Sequence, residues 1–347
     1  MDVHATSTVW CLLDGTGAVV ARGRVATTTA GLAELIRELG GGADLVAGHE
    51  VGTMAYFVHD TLTAAGVRCL AFNAQHLRMI AASRKKTDRR DAYWIAKALQ
   101  SGMYPPPVYI PTGEVRELRV LLHRRRQLHV EYGRWRARAR AALRAAGSPA
   151  PRQAVGLRAA LAQGMAAAAG SVPLLGETLA LCQRQMAGLQ LELQRVDQTL
   201  RARATEIEVV QRLRTVPTIG VLVALTIYAA VGDVRRFPTA KALAAYAGLV
   251  ATVRQSGETL VYGAITKQGA PALRRVLVQA AHVLLTRCAR PQAQPLRAIG
   301  LRILTGRGRR KIAVVALARH LLRIAYYILR DGTTYDPTRL ASMRPAA

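Results

Sequence analysis

Seven apolar residues, Leu179, Cys182, Met186, Leu189, Leu193, Val196 and Leu200, recur at alternating steps of three and four. That rhythm keeps one stripe of a helix against a partner for about three heptads, so a second long helix must exist in this chain or on another subunit. The candidate lies earlier, from Glu114 to Leu143, where arginine is dense and only three glutamates interrupt it. An antiparallel pair within one chain and a seam between subunits both satisfy the pattern. The Ala-, Gly- and Pro-rich stretch from Gly147 to Gly170 reads as the turn region between the rods.

The charge of the first rod belongs to a wider imbalance. The 347 residues carry 49 Lys and Arg against 21 Asp and Glu, a formal charge of +28, and are 51% apolar, which excludes a disordered chain. Only 6 of the basic residues are lysine. Genomic base composition explains arginine replacing lysine, but it does not explain basic side chains outnumbering acidic ones more than twofold. A polyanionic partner does, and nucleic acid is the first candidate. The cysteines at 11, 69, 182 and 288 form no metal-ligand spacing and read as reduced thiols. The stretch Val216 to Gly232 is short for a membrane span, and no signal arrangement opens the chain, so a cytoplasmic protein, nucleoid-associated when bound to DNA, is expected.

Residues 1 to 75 differ in sign, with 4 basic and 7 acidic side chains. Here β-type runs at Thr8 to Leu13 and Ala18 to Ala26 precede an amphipathic helix from Thr28 to Leu39. A strand from Ala43 to Glu50, a helix from about Gly52 to Ala65, a strand from Val67 to Phe72 and a helix from about Thr87 to Gln100 follow. The order βββαβαβα predicts one sheet of strand order 3-2-1-4-5, with the fourth strand joined in parallel to the first. Such a sheet makes Asp2 and Glu50 neighbours at an edge where ligands collect.

Asp88 and Asp91 lie three apart at the start of the last of these helices, on one face. Alone they are better explained as the decoration of a helix N-terminus capped by Thr87. Packed across the sheet edge, the same helix brings four carboxylates together, and a hard divalent ion such as Mg²⁺ is what compensates such crowding. Lys85, Lys86, Arg89 and Arg90 flank the pair and suit phosphates. From Thr215 onward the texture is mainly helical, with a hairpin between Gly248 and Thr266 that carries Ser256 in a tight polar turn. An ordinary Ser-Gly hairpin tip explains that serine; Arg254 beside it, and Lys267, Arg274 and Arg275 further on, fit either phosphate contacts or a solvated face. Arg124, Arg125 and Arg126 on the rod belong to the same candidate nucleic-acid set.

Taken in order, Asp2-Val3-His4, Gly48-His49-Glu50-Val51-Gly52 and Lys86-Thr87-Asp88-Arg89-Arg90-Asp91-Ala92 resemble the acidic motifs of the insertion-sequence 110 transposases. Ala244 to Leu249, Ser256-Gly257, Ile265 to Gly269, Leu273-Arg274-Arg275, Leu329 to Gly332 and Tyr335-Asp336-Pro337 resemble that family's second domain. The resemblance implies an RNase H-like, RuvC-like α/β domain over 1–112 with a DEDD set, a basic helical, coiled-coil region over 113–212, and a mainly α transposase domain over 213–347. It implies further that Asp2, Glu50, Asp88 and Asp91 bind Mg²⁺, and that Ser256 is the nucleophile that becomes linked to DNA. Donor and target DNA, a noncoding bridge RNA and a homo-oligomer, dimer or tetramer, with a composite active site are its implied partners.

The chain departs from the family at several points. Asp2 follows Met1 directly, so half of the first strand is expected to be missing, whether because the true start lies upstream or because this copy is impaired. Ala251, Thr218 and Ala270 stand where Pro, Gly and Asn are common. Two other readings survive on residues alone: a metal-dependent RuvC-like structure-specific endonuclease using only the acids, and an inactive nucleic-acid scaffold built on the arginine rod.

Overall fold

The computed structural model describes residues 1–80, 87–169, 172–257 and 259–338, which form two compact units, 1–111 and 112 onward. The first unit begins with strands β1 (Asp2–Val3), β2 (Ser7–Leu13) and β3 (Val19–Ala26), joined as an antiparallel meander. Helix α1 (Thr29–Glu38) follows, opened by the Thr28 hydroxyl accepting from the Gly31 amide at 3.1 Å. Strand β4 (Val46–Glu50), helix α2 (Ala55–Ala64) and strand β5 (Arg68–Phe72) make a parallel pair with its crossover, before α3 (Ala74–Ile80) and α4 (Asp88–Ser101).

The expected single sheet is therefore present as two ladders, β1-β2-β3 and β4-β5. The physical reason is the length of β1. Its two residues pair with β2, Asp2 opposite Val9 and Val3 opposite Thr8, and a strand so short presents almost no free edge to β4. One bond does cross: the Met1 ammonium donates to the Gly48 carbonyl at 2.8 Å. Burial pulls that ammonium down to about 6.

The second unit is built on two rods, α5 (Gly113–Ala145) and α7 (Pro173–Glu206), each about 50 Å long. They run antiparallel within the chain. Arg203 meets Glu117 at 3.1 Å near one end, Arg124 meets Glu192 at 2.7 Å further along, and Leu143 packs with Leu179 and Cys182 at the other end. The seam residues Leu179, Cys182, Met186, Leu193, Val196 and Leu200 are all buried, and Leu189 is half-buried.

The Gly147 to Gly170 stretch corrects the expectation of a turn region, because Ala154–Ala169 is a helix, α6. Alanine is the strongest helix former, and Leu157, Ala160 and Leu161 give the helix a face to bury against both rods. Gly164 marks the closest approach. A Cβ there would lie 2.7 Å from Leu143 Cδ2 and 3.3 Å from Leu179 Cδ1.

A larger core gathers α8 (Glu208–Leu213), α9 (Val221–Val231), α10 (Ala240–Tyr246), α11 (Pro271–Thr286), α12 (Gln294–Arg307) and α13 (Arg310–Asp331). By length and composition α13 resembles a membrane span, yet its apolar side chains, Leu317, Leu321 and Leu322 among them, fill this core. Strands β6 (Ala251–Ser256) and β7 (Thr259–Ile265) form a hairpin whose residues are nearly all exposed. Two of the departures are visible in the backbone. Thr218 holds a φ of 70°, the region that favours glycine, and Ala270 caps α11 with no side-chain acceptor.

Candidate active site

The acidic group is assembled by three local devices. Asp2 stands in β1 and His4 follows just past its end, with its Nε2 against the Asp2 carboxylate. In α4, Thr87 caps the helix, its hydroxyl accepting from the Arg90 amide at 3.4 Å, which places Asp88 and Asp91 in the first turn. Gly48 then lets α4 settle on β4: a Cβ there would lie 2.9 Å from Leu99 Cδ1 and from Phe72 Cε2, and 3.0 Å from Ile95 Cγ2. The glycine of the Gly48-His49-Glu50 motif thus acts through packing.

Ligand-type atoms of Asp2, His4 and Asp88 lie within 4.8 Å of one another. His4 Nε2 stands 3.3 Å from Asp2 Oδ2 and 3.5 Å from Asp88 Oδ2. Burial pushes the Asp2 carboxyl above its ordinary range; His4 draws it back, and the charges of Asp88 and Asp91 push it up again. This is the electrostatic signature of acids that a cation would relieve. Two carboxylates and an imidazole fit a divalent metal, the oxygens suiting Mg²⁺ or Mn²⁺ and the nitrogen suiting softer ions such as Fe²⁺ or Zn²⁺.

Asp91 and Glu50 stand outside the 4.8 Å group. Asp91 nonetheless reaches Asp2 through its charge, and Glu50, at the end of β4 opposite Phe72, acts on the Met1 ammonium. His49 is fully buried, its Nδ1 2.9 Å from the Glu50 carbonyl oxygen, and burial lowers it to about 4. His4 escaped the sequence reading as a ligand. Its signal was the Asp-x-His step at the end of a strand. Arg24, 3.5 Å from Asp88 Oδ2, was missed in the same way.

The remaining candidates divide sharply. Lys85 and Lys86 lie outside the described residues. The guanidinia of Arg89, Arg90, Arg126, Arg254 and Arg275 carry no hydrogen-bond or ion-pair partner among the described residues. Arg124 and Arg125 are instead paired with Glu192 and Asp197 of α7, and Arg274 donates to the carbonyls of Ala247 at 2.9 Å and Gln268 at 3.3 Å, so these three hold the second unit together. Arg126 and Arg275 line a cavity of about 630 Å³ with Leu222, Ala230 and Tyr246. Lys267 adopts a φ of 56°, and its amide donates to the Gly248 carbonyl. Ser256 ends β6, pairs with Thr259, and is followed by Gly257 at a φ of 56°. It is exposed.

Comparison with known proteins gives two family matches, one of which extends from the first unit into α5. The model described as the transposase IS116/IS110/IS902 family matches residues 210–296, and a transposase model of the DEDD type in the IS110 group matches residues 1–147. A transposase for insertion sequence element IS1111A of Coxiella burnetii is 33% identical over 139 residues, 40% of this chain and 38% of that protein. A probable family 20 transposase of Pseudomonas aeruginosa is 30% identical over 163 residues, 47% of this chain and 48% of that protein. An insertion element IS110 uncharacterized 43.6 kDa protein of Streptomyces coelicolor is 31% identical over 136 residues, covering 39% and 32%. The matched stretch is under half the length of each of these relatives.

Proposed function

The chain belongs to the IS116/IS110/IS902 family of transposases, and from that premise we propose that it cuts and rejoins DNA, with acids of the first unit holding a divalent metal and Ser256 of the second as nucleophile. The observation that carries the reading is the convergence of Asp2, His4 and Asp88 on one point within the segment matched by the DEDD transposase model. Asp2 and Asp88 would hold the cation with His4 beside them, and Asp91 and Glu50 would supply the rest of the negative field. Bound there, Mg²⁺ supplies Lewis-acid stabilisation of charge developing on a phosphate.

Ser256 attacks phosphorus. Its oxygen forms a new P–O bond, the bond to the departing sugar oxygen breaks, and that oxygen leaves with the proton the serine gives up. One phosphodiester replaces another, so the reverse step rejoins DNA without an added energy source. An exposed serine at a hairpin tip can reach a phosphate that a buried one cannot, which supports this role. The first unit takes the RuvC-like part, α5 and α7 the basic helical, coiled-coil part, and the remainder the transposase part. The large positive charge serves donor and target DNA and a bridge RNA, and the two halves of the site are completed in a homo-oligomer, a dimer or tetramer.

Trapping tests the proposal. Wild-type protein with Mg²⁺ and a DNA carrying the element's ends is expected to form a covalent protein–DNA adduct that Ser256→Ala and Asp88→Asn both abolish. Adduct formation by Ser256→Ala removes the serine. Cleavage without any adduct points instead to a metal-dependent endonuclease, and binding without cleavage to a scaffold.

A further inference from the structure

The sheet face that carries Asp2 does not end at the metal group. Asp2 pairs with Val9, and Val9 with Arg24, so one cross-strand row runs from β1 through β2 to β3; the next row on that face is Cys11 and Arg22. Helix α4 borders this surface, and its first turns contribute Arg89, Arg90 and Tyr93. Together these residues enclose a cleft of about 660 Å³. Arg22, Arg24, Arg89 and Arg90 bring four guanidinia to it. Three of them have no carboxylate or hydrogen-bond partner among the described residues, and the fourth, Arg24, is 64% exposed and 3.5 Å from Asp88. Four like charges with one nearby carboxylate between them are a cost to the folded chain unless an anion enters.

We infer that this cleft seats the sugar-phosphate backbone of the DNA strand presented to Asp2 and Asp88. The inference rests on the transposase reading and deepens it by giving the strand a path. Arg22 and Arg24 are one i, i+2 step apart on a strand, about 7 Å, close to the separation of successive phosphates in an extended nucleic-acid strand. Guanidinia on β3 face those at the start of α4 across the cleft, so a single strand fits between them with phosphates gripped from both sides. Arg24 links the two sites. It shares Asp88 with the metal group, so a phosphate in the cleft lies beside the carboxylate that would hold the cation. Val9 and Cys11 give the cleft an apolar floor, with Trp10 and Tyr93 also lining it, so the four guanidinia are its only charged groups and the grip is on phosphate.

The test uses the full chain and a fluorescein-labelled single-stranded DNA, with affinity followed by anisotropy across a range of NaCl concentrations in EDTA. Each phosphate contact contributes a slope of about −0.7 in log affinity against log salt, so Arg22→Gln with Arg24→Gln is expected to lower the slope by about 1.4. Each single variant is expected to carry half of that loss, and Arg22→Lys with Arg24→Lys to restore the slope. Arg37→Gln with Arg68→Gln removes the same charge elsewhere in the first unit and is expected to leave the slope in place.

An unchanged slope in the Arg22/Arg24 pair, an equal loss in the Arg37/Arg68 pair, or a loss seen with RNA of the same sequence but not with DNA overturns the inference. Asp88→Asn is measured alongside. If it silences cleavage while the Arg22/Arg24 slope stays unchanged, the cleft alone falls; if it still cleaves, the metal reading falls whatever the slope.

Discussion

The acid group of the first unit and the serine hairpin of the second are held in opposite ways. Asp2, Asp88 and Asp91 stand on a strand end and a capped helix turn, and the approach of that helix is fixed by a glycine pressed against Leu99, Phe72 and Ile95. Ser256 stands on a two-stranded ribbon that exposes Val253, Leu260, Val261 and Tyr262 as well as its polar residues. An isolated hairpin of this kind is marginal by itself. The difference teaches that the two halves of the proposed chemistry have different demands: charges that repel must be placed by packing before any ion arrives, whereas a nucleophile that must meet a separate scaffold gains from reach.

The sharpest way to break this contrast is to remove one charge from the packed half. Asp88→Asn is expected to lower Mg²⁺-dependent strand cleavage by about 10³-fold, equivalent to ~4 kcal/mol of barrier, with little change in Tm. A variant that cleaves at the wild-type rate defeats the metal assignment. Next in size is Gly48→Leu, which overpacks the seat of α4 and is expected to lower stability by about 3 kcal/mol and cleavage with it. Gly257→Ala at the hairpin tip should leave thermal unfolding nearly untouched. Equal losses from both glycine changes would show that the hairpin is as firmly built as the helix seat.

Acid sharpens the comparison by acting on a strongly shifted buried histidine in each unit. His49 and His320 are both lowered to about 4 by burial, His320 further by Arg323 and Arg319. In each case the unfolded chain, with an ordinary pKa near 6.5, takes up a proton that the folded chain refuses. Stability contributed by the neutral form is therefore full above about 6.5 and drains away as pH falls toward 4. For His49, with no exposed surface, the loss approaches about 3 kcal/mol. Urea titrations at pH 7 and pH 5 on Trp135→Phe, whose remaining Trp10 and Trp94 report the first unit, should show the midpoint falling. His49→Asn should flatten that fall.

The smallest effects concern the second unit's backbone. Thr218→Gly relieves a left-handed φ worth about 1 kcal/mol, and Ala270→Asn supplies α11 with the acceptor it lacks, also about 1 kcal/mol. Both should raise Tm by a few degrees. A fall with Thr218→Gly would mean that the threonine side chain repays its strain through packing.

The sequence was most informative where the controlling interaction is short in range. Thr87 and the two aspartates after it define the start of α4 because a cap is settled within four residues, and the spacing from Leu179 to Leu200 defines a buried stripe because helical periodicity needs no outside information. The joining of β1 to β4 was not legible in the same way. It depends on how many residues of β1 remain free after pairing with β2, which no local pattern states. The helix Ala154–Ala169 was hidden for a related reason: its glycines suggest a turn until Gly164 is seen against Leu143 and Leu179. His4 and Arg24 needed the strand register before their nearness to Asp88 was apparent.

The paired rods have a mechanical corollary. Leu118 is buried in the large core near one end of α5, while Ala139 and Leu143 are buried in a separate small core near the other. A helix advances about 100° per residue, so the rod is a ruler that also sets an angular phase between those cores. Removing a single residue from its middle would swing one core a quarter-turn and more about the axis. Excising seven residues from each rod, two nearly whole turns, would shorten the ruler by about 10 Å and leave the dial almost where it was.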